Sequence, residues 1–292
     1  MPIDPRYDGP PLVSIELAPD DPSIPVVRQR ERLAAALAEL SDAEWTAPSR
    51  CDGWSVQDVV AHLAGVNAFW ALSITKGREG TPTRYLTRFD PVDTPAQMVE
   101  AARGVPPREV LDRFVESNAA LAASLAGLAQ DEWTSVLAEG PPGHISLRCI
   151  ALHALWDSWV HERDVLLPLG RPTAVEDDEV RGSLRYVAAL GPAFTVATGS
   201  KGRVGAYVVD ATDPDDRFVV ELGTTVRLHA GEAPDGALHL RGPALELLEA
   251  LSIRTPLEAA IGDDQVWMLG GLARAFRQPA PGAATSGATG PS

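Results

Sequence analysis

The amino-acid sequence predicts a mixed fold, in which an amino-terminal four-helix bundle precedes a small α+β domain with an antiparallel sheet. Four segments between residues 24 and 168 carry apolar residues at helical spacing, which is the first observation behind this prediction. After residue 200 the chain changes to short runs rich in β-branched residues, separated by turn sequences. A length of 292 residues is sufficient for two modest domains, each with its own core.

The bundle is predicted to cover residues 24–170, after an irregular lead-in of Pro- and Asp-rich sequence over residues 1–23. Ser55 and Asp58 have the spacing of a capping box, in which each side chain satisfies a free backbone N–H, so a helix is expected to begin there. Ser146 is the expected cap of the last helix, after a Gly-Pro-Pro-Gly break. The four helices are predicted at residues 26–40, 55–77, 107–128 and 146–166, with a long connection over residues 77–93.

The second predicted domain covers residues 175–277 and begins with an acidic helix at residues 175–190. Strands are predicted at residues 204–209, 217–222, 225–229 and 237–240. A helix at residues 243–253 and a structured stretch at residues 265–276 follow. The remaining tail, residues 278–292, contains mainly Ala, Gly, Ser, Thr and Pro and is predicted to be disordered.

Composition excludes several classes of partner. With a formal net charge of −15, the chain offers no basic stripe for nucleic acid or for an anionic membrane surface. No signal peptide and no run of about 20 apolar residues are recognised, so the protein is expected in the cytoplasm. Cys51 and Cys149 lack metal-binding or redox spacing; reduced thiols are the simpler interpretation, and a disulfide between them stays an open alternative.

One segment of the fourth helix concentrates the residues that can carry chemistry. His153, Asp157 and His161 follow each other at four-residue steps, which stacks their side chains on one helix face. A salt-bridged surface stripe is the plain alternative, but the apolar neighbours of Asp157 argue against a solvated face. His62 lies on the inward face of the second helix. Two imidazoles and a carboxylate suit Zn²⁺ with an open fourth position, and they equally suit non-haem Fe(II).

A family resemblance points to the same residues. Residues 51–65, CDGWSVQDVVAHLAG, resemble the signature of the mycothiol-dependent maleylpyruvate isomerase family, whose amino-terminal domain is a four-helix bundle of the DinB type. Asp157, His161 and Asp164 match a second signature, in which the first carboxylate is commonly Glu. The resemblance implies His62, Asp157 and His161 as metal ligands. Asp164 and His153 are then expected as outer residues that hydrogen-bond and orient a ligand.

The carboxy-terminal half extends the resemblance. Residues 237–258 are similar to the strand–Gly–helix–Arg pattern of the family's sterol-carrier-like domain, in which an arginine is implicated with substrate carboxylates; Arg254 is the matching position. The resemblance implies a divalent metal, most simply zinc, that ionises the thiol of mycothiol or of a similar low-molecular-weight thiol. The thiolate would attack a small electrophile, with Arg254 orienting an anionic group. An isomerase and an S-transferase are both compatible with this scheme.

Two other functions stay open from the sequence. One is a small-molecule binding protein whose metal is only structural, and the other is a non-haem Fe(II) oxygenase that uses the same ligands. If His153 also bound the metal, the site would be closed and the enzyme hypothesis would weaken. Cys51, just ahead of the second helix, is interpreted as a small buried residue that seats the turn.

Overall fold

A computed structural model describes residues 1–17, 19, 21–200, 202–259 and 261–278. The helices that form the bundle and its connections are α1 (Ser23–Ala38), α2 (Asp42–Trp45), α3 (Val56–Arg78), α4 (Asp93–Ala101), α5 (Pro107–Leu125), α6 (Glu132–Ser135) and α7 (Leu147–Leu166). The remaining helices are α8 (Asp177–Ala197), α9 (Ala244–Leu251), α10 (Val266–Leu269) and α11 (Gly271–Ala275). The strands are β1 (Val13–Ile15), β2 (Leu137–Gly140), β3 (Gly143–Ser146), β4 (Gly205–Thr212), β5 (Asp216–Leu222), β6 (Val226–His229) and β7 (Leu238–Pro243).

The four predicted bundle helices are α1, α3, α5 and α7. Both predicted caps are present, since the Ser55 side chain accepts from the backbone N–H of Asp58, and that of Ser146 accepts from the N–H of Cys149. Asp58 completes the capping box at the start of α3. These caps fix where α3 and α7 begin, and therefore which side chains each helix turns toward the other.

Helix α7 lies at the centre of the molecule. Of its 20 residues 18 are buried, because α1 and α3 cover one side and α8 covers another. Such a helix is apolar all round, apart from polar side chains that find partners inside the fold. The polar residues of α7 must therefore be explained by what they contact.

Helix α3 requires a correction on membrane spans. By length and composition alone, it is the one helix among the described residues that could cross a membrane, although no such stretch was expected. More than half of its apolar window is buried against α5, α7 and the β2–β3 hairpin. Its apolar character follows from its place in the bundle core.

A mixed sheet with strand order β1-β6-β5-β4-β7 forms the second half of the molecule. The pairs β4–β5 and β5–β6 are antiparallel, as predicted, but both edge strands, β1 and β7, pair in parallel. The prediction of an irregular lead-in over residues 1–23 is wrong at β1, where Val13 and Ile15 are buried and Ser14 is exposed. Three residues are too few for a period-two pattern to be recognised before the partner strand is known.

Two further elements were not predicted, namely α4 and the β2–β3 hairpin. The Gly-Pro-Pro-Gly break is the turn of this hairpin. Gly143 has a φ of 110°, and a Cβ placed there would lie 2.0 Å from the carbonyl oxygen of Arg6. Only glycine allows the amino-terminal segment to cross the hairpin so closely.

One continuous apolar cluster extends from the bundle into the sheet, and a second, smaller one fills the space between α1, α3 and α5. The larger cluster includes residues of α7, α8 and the strands, so both predicted domains share it. The boundaries at residues 170 and 175 and the sterol-carrier resemblance stay predictions. The predicted disordered tail falls outside the described residues from residue 279 onward.

Candidate metal centre

His62, Asp157 and His161 meet between α3 and α7. Their candidate ligand atoms all lie within 4.8 Å of one another. His62 Nε2 is 3.5 Å from Asp157 Oδ2, and His161 Nε2 is 3.6 Å from Asp157 Oδ1. These separations are longer than good hydrogen bonds and leave room for a cation between the donor atoms. The structure thus brings together the trio that sequence predicted.

Local packing sets the direction of the two imidazole rings. The ring centroids of His62 and His161 are 5.1 Å apart with the planes at 79°, and the ring of Trp54 lies 5.5 Å from that of His62. Trp54 precedes the cap of α3, so the same turn that begins the helix supplies a wall for its histidine. Asp157 and His161 are one helical turn apart on α7.

Two buried atoms of the trio lack hydrogen-bond partners among the described residues. These are Asp157 Oδ2 and His62 Nδ1. Burial alone would raise the pKa of Asp157, but the neighbouring His62 and His161 hold it well below its usual value, so the group is a carboxylate. A buried carboxylate oxygen without a donor is costly, and a divalent cation between the two imidazoles would satisfy it. The residues present therefore fit a metal ion.

Asp164 orients one of these rings. Its Oδ2 lies 3.0 Å from His161 Nδ1, on the side of the ring away from Asp157. Burial lowers the pKa of His161, but the Cys51 sulfur and the hydrogen bond with Asp164 more than reverse this effect. A carboxylate that accepts from one ring nitrogen leaves the other nitrogen directed at a metal. This contact is the one expected of Asp164.

Arg254 lies beside the trio and is held by the protein. Its Nε and Nη2 donate to Asp164 at 2.9 and 2.8 Å, and its Nη1 donates to the carbonyl of Ser252 at 3.2 Å. Arg50 reaches the same carboxylate at 3.4 Å and Glu249 at 2.5 Å. A guanidinium has five N–H groups, so these contacts leave N–H groups of Arg254 available to a ligand.

His153 does not occupy the position expected of it. The expectation was a hydrogen bond to a metal ligand, whereas its Nδ1 pairs with the phenol of Tyr186 at 2.6 Å. Its ring packs between Trp70 and Trp156, and burial lowers its pKa to about 4. The partner comes from α8, which the pattern of α7 alone could not reveal. His153 also does not join the described group of candidate ligands, so that group leaves a metal coordination position open.

Cys51 is also placed differently from the prediction. It is half-buried rather than a buried apolar residue, and its sulfur lies 3.2 Å from Asp164 Oδ2 and 3.6 Å from His161 Nδ1. These three residues form a second possible metal group. A cation there would face the guanidiniums of Arg254 and Arg50, which makes the group the poorer electrostatic choice. Both cysteines are free, so there is no disulfide between Cys51 and Cys149.

A cavity of about 590 Å³ opens beside the candidate metal centre. One end is polar and contains the trio, Cys51 and Arg254. The remaining wall is mostly apolar and comes from α3, the segment after residue 85, α8 and α11, including Phe69, Trp70, Phe89, Phe194, Leu272 and Phe276. A largely apolar cleft with a few convergent polar groups is the usual form of a small-molecule site.

A buried carboxylate fixes one wall of this cavity. Glu139, on β2, accepts from the backbone N–H groups of Tyr85 and Leu86 at 3.0 and 2.7 Å and from the phenol of Tyr7 at 2.5 Å. The same phenol donates to the carbonyl of Leu86 at 2.6 Å, sharing its proton between the two acceptors. These contacts hold the segment that presents Leu86 and Phe89 to the cavity.

Sequence reasoning missed four contributors to the site, namely Arg50, Trp54, Cys51 and Tyr186. Trp54 and Cys51 lie inside the recognised motif, so their position beside His62 was the available signal. Arg50 and Tyr186 act through contacts with residues of distant segments. No local pattern identifies such pairs.

Comparisons with known proteins are consistent with this geometry. Residues 26–166 match the family described as the mycothiol maleylpyruvate isomerase N-terminal domain. Two uncharacterized proteins, from two strains of Mycobacterium tuberculosis, are each 25% identical over 260 residues, covering 86% of this chain and 93% of the relative.

Solved structures extend the likeness to both halves of the chain. The crystal structures of the mycothiol-dependent maleylpyruvate isomerase and of a mutant of it superpose with TM-scores of 0.56 and 0.57. Both are 17% identical to this chain and cover 86% of it, which is 95% and 92% of their own chains. At this identity the likeness shows a shared fold.

Proposed function

Residues 26–166 of this chain belong to the mycothiol maleylpyruvate isomerase N-terminal domain family, and from this premise we propose a metal-dependent enzyme that uses a low-molecular-weight thiol. The resemblance recognised in the motif around His62 is thereby confirmed. The proposed thiol is mycothiol or a close analogue. The proposed reaction is isomerisation or S-transfer on a small electrophile, in the cytoplasm.

One observation carries the proposal: two imidazoles and a carboxylate converge at one end of a cavity and leave a coordination position open. His62, Asp157 and His161 would hold the cation, with zinc the first choice for this ligand set. When bound, the cation would lower the pKa of the cofactor thiol, so that a thiolate is the nucleophile. The open position favours this function over a binding protein with a purely structural metal.

The other residues of the polar end position the reactants. Asp164 holds His161 in the orientation that directs Nε2 toward the cation. Arg254, fixed by Asp164, presents its remaining N–H groups to the cavity, where they can orient an anionic or carbonyl group of the substrate. The apolar wall excludes water and accepts the rest of the substrate.

Metal content tests the proposal directly. His62→Ala and Asp157→Asn should each lose stoichiometric metal, measured by elemental mass spectrometry after dialysis, because each removes one of three donors. His239→Ala, at a half-exposed strand position, is the matched control and should keep its metal. Full metal occupancy in both site variants would remove these residues from the site.

Thiol binding tests the second half of the proposal. Mycothiol should raise the melting temperature of the zinc-loaded protein, because a ligand that binds only the native state stabilises it. The same addition should leave metal-free protein and Asp157→Asn unchanged. Iron rather than zinc in the purified protein, with no response to thiols, would favour the oxygenase alternative.

A further inference from the structure

The pair formed by His153 and Tyr186 is a buried hydrogen-bonded unit that the proposed function does not use. Tyr186 is 1% exposed and lies on α8, and His153 is 8% exposed and lies one turn before Asp157 on α7. Their contact, at 2.6 Å between phenol oxygen and Nδ1, is the only hydrogen bond that the described residues offer either side chain. His153 also lines the cavity.

Counting donors assigns the tautomer of His153. If Nδ1 carried the proton and donated to Tyr186, the phenolic hydrogen would be buried with no acceptor among the described residues. If Tyr186 donates to Nδ1 instead, every buried hydrogen of the pair is used. The proton of the neutral ring then lies on Nε2.

The surroundings give this second nitrogen a free path to the cavity. No described residue hydrogen-bonds Nε2 of His153, and the atom is absent from the buried polar atoms that lack partners. Since His153 lines the cavity, Nε2 is in contact with its open space. Trp70 and Trp156 pack against the ring and prevent it from turning away.

We infer that the Nε2–H of His153 donates a hydrogen bond to the carbonyl oxygen of the substrate, with Tyr186 as the positioning residue that fixes the tautomer. This inference rests on the proposed function and narrows the substrate class to electrophiles activated by a conjugated carbonyl. When a thiolate adds to the β-carbon of such a substrate, a C–S bond forms and the π pair moves toward the carbonyl. Negative charge then develops on the carbonyl oxygen.

The fate of that charge separates the two reactions that the fold could support. In an isomerase, rotation about the new single bond is followed by return of the electron pair, cleavage of the C–S bond and departure of the thiolate. In a transferase, the α-carbon takes a proton from water and the C–S bond stays. A neutral donor fixed at the oxygen stabilises the charged stage in both cases without losing its own proton.

Two electrophiles with the same phenyl group test the role of His153. Benzylideneacetone develops an oxyanion when mycothiol adds to it, whereas benzyl chloride is displaced without one. His153→Phe keeps an aromatic ring but removes the donor, so it should slow the enone reaction about 100-fold. It should leave the benzyl chloride reaction within about threefold of wild type, on the same argument that no oxyanion forms there.

A nuclear magnetic resonance measurement tests the tautomer without any activity. The ¹⁵N spectrum of the metal-free protein should show His153 protonated on Nε2 at neutral pH. Tyr186→Phe should mix the two tautomers, since it removes the phenol that selects one. Tyr207→Phe is the matched control, because it removes a buried phenol that donates to the carbonyl of Ala188, and it should change neither the spectrum nor turnover.

The double variant His153→Phe with Tyr186→Phe removes both partners together and avoids leaving an unpaired buried phenol. It should be as slow with the enone as the single His153 variant. Equal losses on both electrophiles, no loss on either, or a proton on Nδ1 would overturn the inference. Wild-type protein inert toward both electrophiles would instead overturn the thiol chemistry, and the role of His153 with it, whatever tautomer the spectrum shows.

Discussion

Asp164 organises the polar end of the cavity because three side chains donate to its two oxygens. Arg254 contacts both oxygens, while His161 and Cys51 approach Oδ2 at 3.0 and 3.2 Å. The carboxylate is fully buried, and these partners hold its pKa well below the usual range against the opposing effect of burial. One residue thus sets both the ring orientation of His161 and the position of Arg254.

Asp164→Asn should weaken metal binding and the fold together. Loss of the charge leaves Arg254 buried without its counter-ion, which should lower the free energy of unfolding by about 3 kcal/mol. Loss of the oriented acceptor at His161 should weaken zinc affinity by about 10- to 100-fold. Urea unfolding and competition with a zinc chelator measure the two effects.

A buried ion pair elsewhere provides the control. Asp216 accepts from two nitrogens of Arg185 at 2.8 and 2.9 Å, on β5 and outside the cavity wall. Asp216→Asn should destabilise the fold but leave zinc affinity unchanged. Equal zinc affinity in the Asp164 variant would show that His161 needs no help to bind.

His153 should make the metal-free protein sensitive to mild acid. Burial lowers the pKa of the folded-state ring from 6.5 to about 4, so between these pH values the unfolded chain binds more protons than the folded one. The free energy of unfolding must then decrease as pH falls through this range, by about 3 kcal/mol in total. Urea titrations between pH 7 and 4 measure it, and the double variant of His153 and Tyr186 should show a flatter dependence.

At the scale of elements, local chemistry determined what could be predicted. The starts of α3 and α7 followed from Ser55 and Ser146, because a cap is a contact between neighbours in the chain. The strand β1 was missed because its three residues gain their strand geometry only from β6, more than 200 residues away. Helix periodicity alone also could not reveal that α8 packs against α7 and the sheet.

Close packing of α11 on α8 is a second feature that sequence did not show. A Cβ at Gly271 would lie 1.9 Å from the carbonyl oxygen of Gly191 and 2.7 Å from the backbone nitrogen of Thr195. Neither atom can move without disturbing α8. Helix α11 and its end carry Leu272 and Phe276, so this contact also closes the cavity.

Gly271→Ala should therefore displace the carboxy-terminal segment and lower the free energy of unfolding by about 2 kcal/mol. Gly191→Ala is the matched control across the same contact, since its Cβ would meet Leu269 at an ordinary 3.6 Å. The control should be neutral or slightly stabilising, because Ala is the better residue inside a helix. Equal stability of both variants, measured by urea unfolding, would contradict the close contact.

At the scale of the whole molecule, the site depends on both halves of the chain. The metal ligands were predictable because His62 lies in a recognisable motif and Asp157 and His161 share one helix. The outer groups were not, since Arg50 and Arg254 reach Asp164 across 114 and 90 residues of sequence, respectively. Spacing reports neighbours within an element, whereas these pairs exist only after α7 is enclosed.

The shared core suggests that the two predicted domains depend on each other. Leu152 and Leu155 of α7 pack against Gly182 of α8, and the Trp156 indole donates to Ser252 at 2.9 Å. Buried Glu179, on α8, accepts from Arg32 of α1 at 2.7 Å. A bundle without α8 would expose these surfaces and leave Arg32 with one fewer partner.

A chain of residues 24–170 alone should therefore fail to fold, although its boundaries match the predicted bundle. We expect it to bind a hydrophobic dye and to show no cooperative thermal transition, because the apolar surface of α7 normally covered by α8 would face water. A chain of residues 1–278 is the control and should unfold in one transition, with equal calorimetric and van't Hoff enthalpies. Cooperative unfolding of the isolated bundle would show instead that α8 and the sheet are attached to a self-sufficient domain.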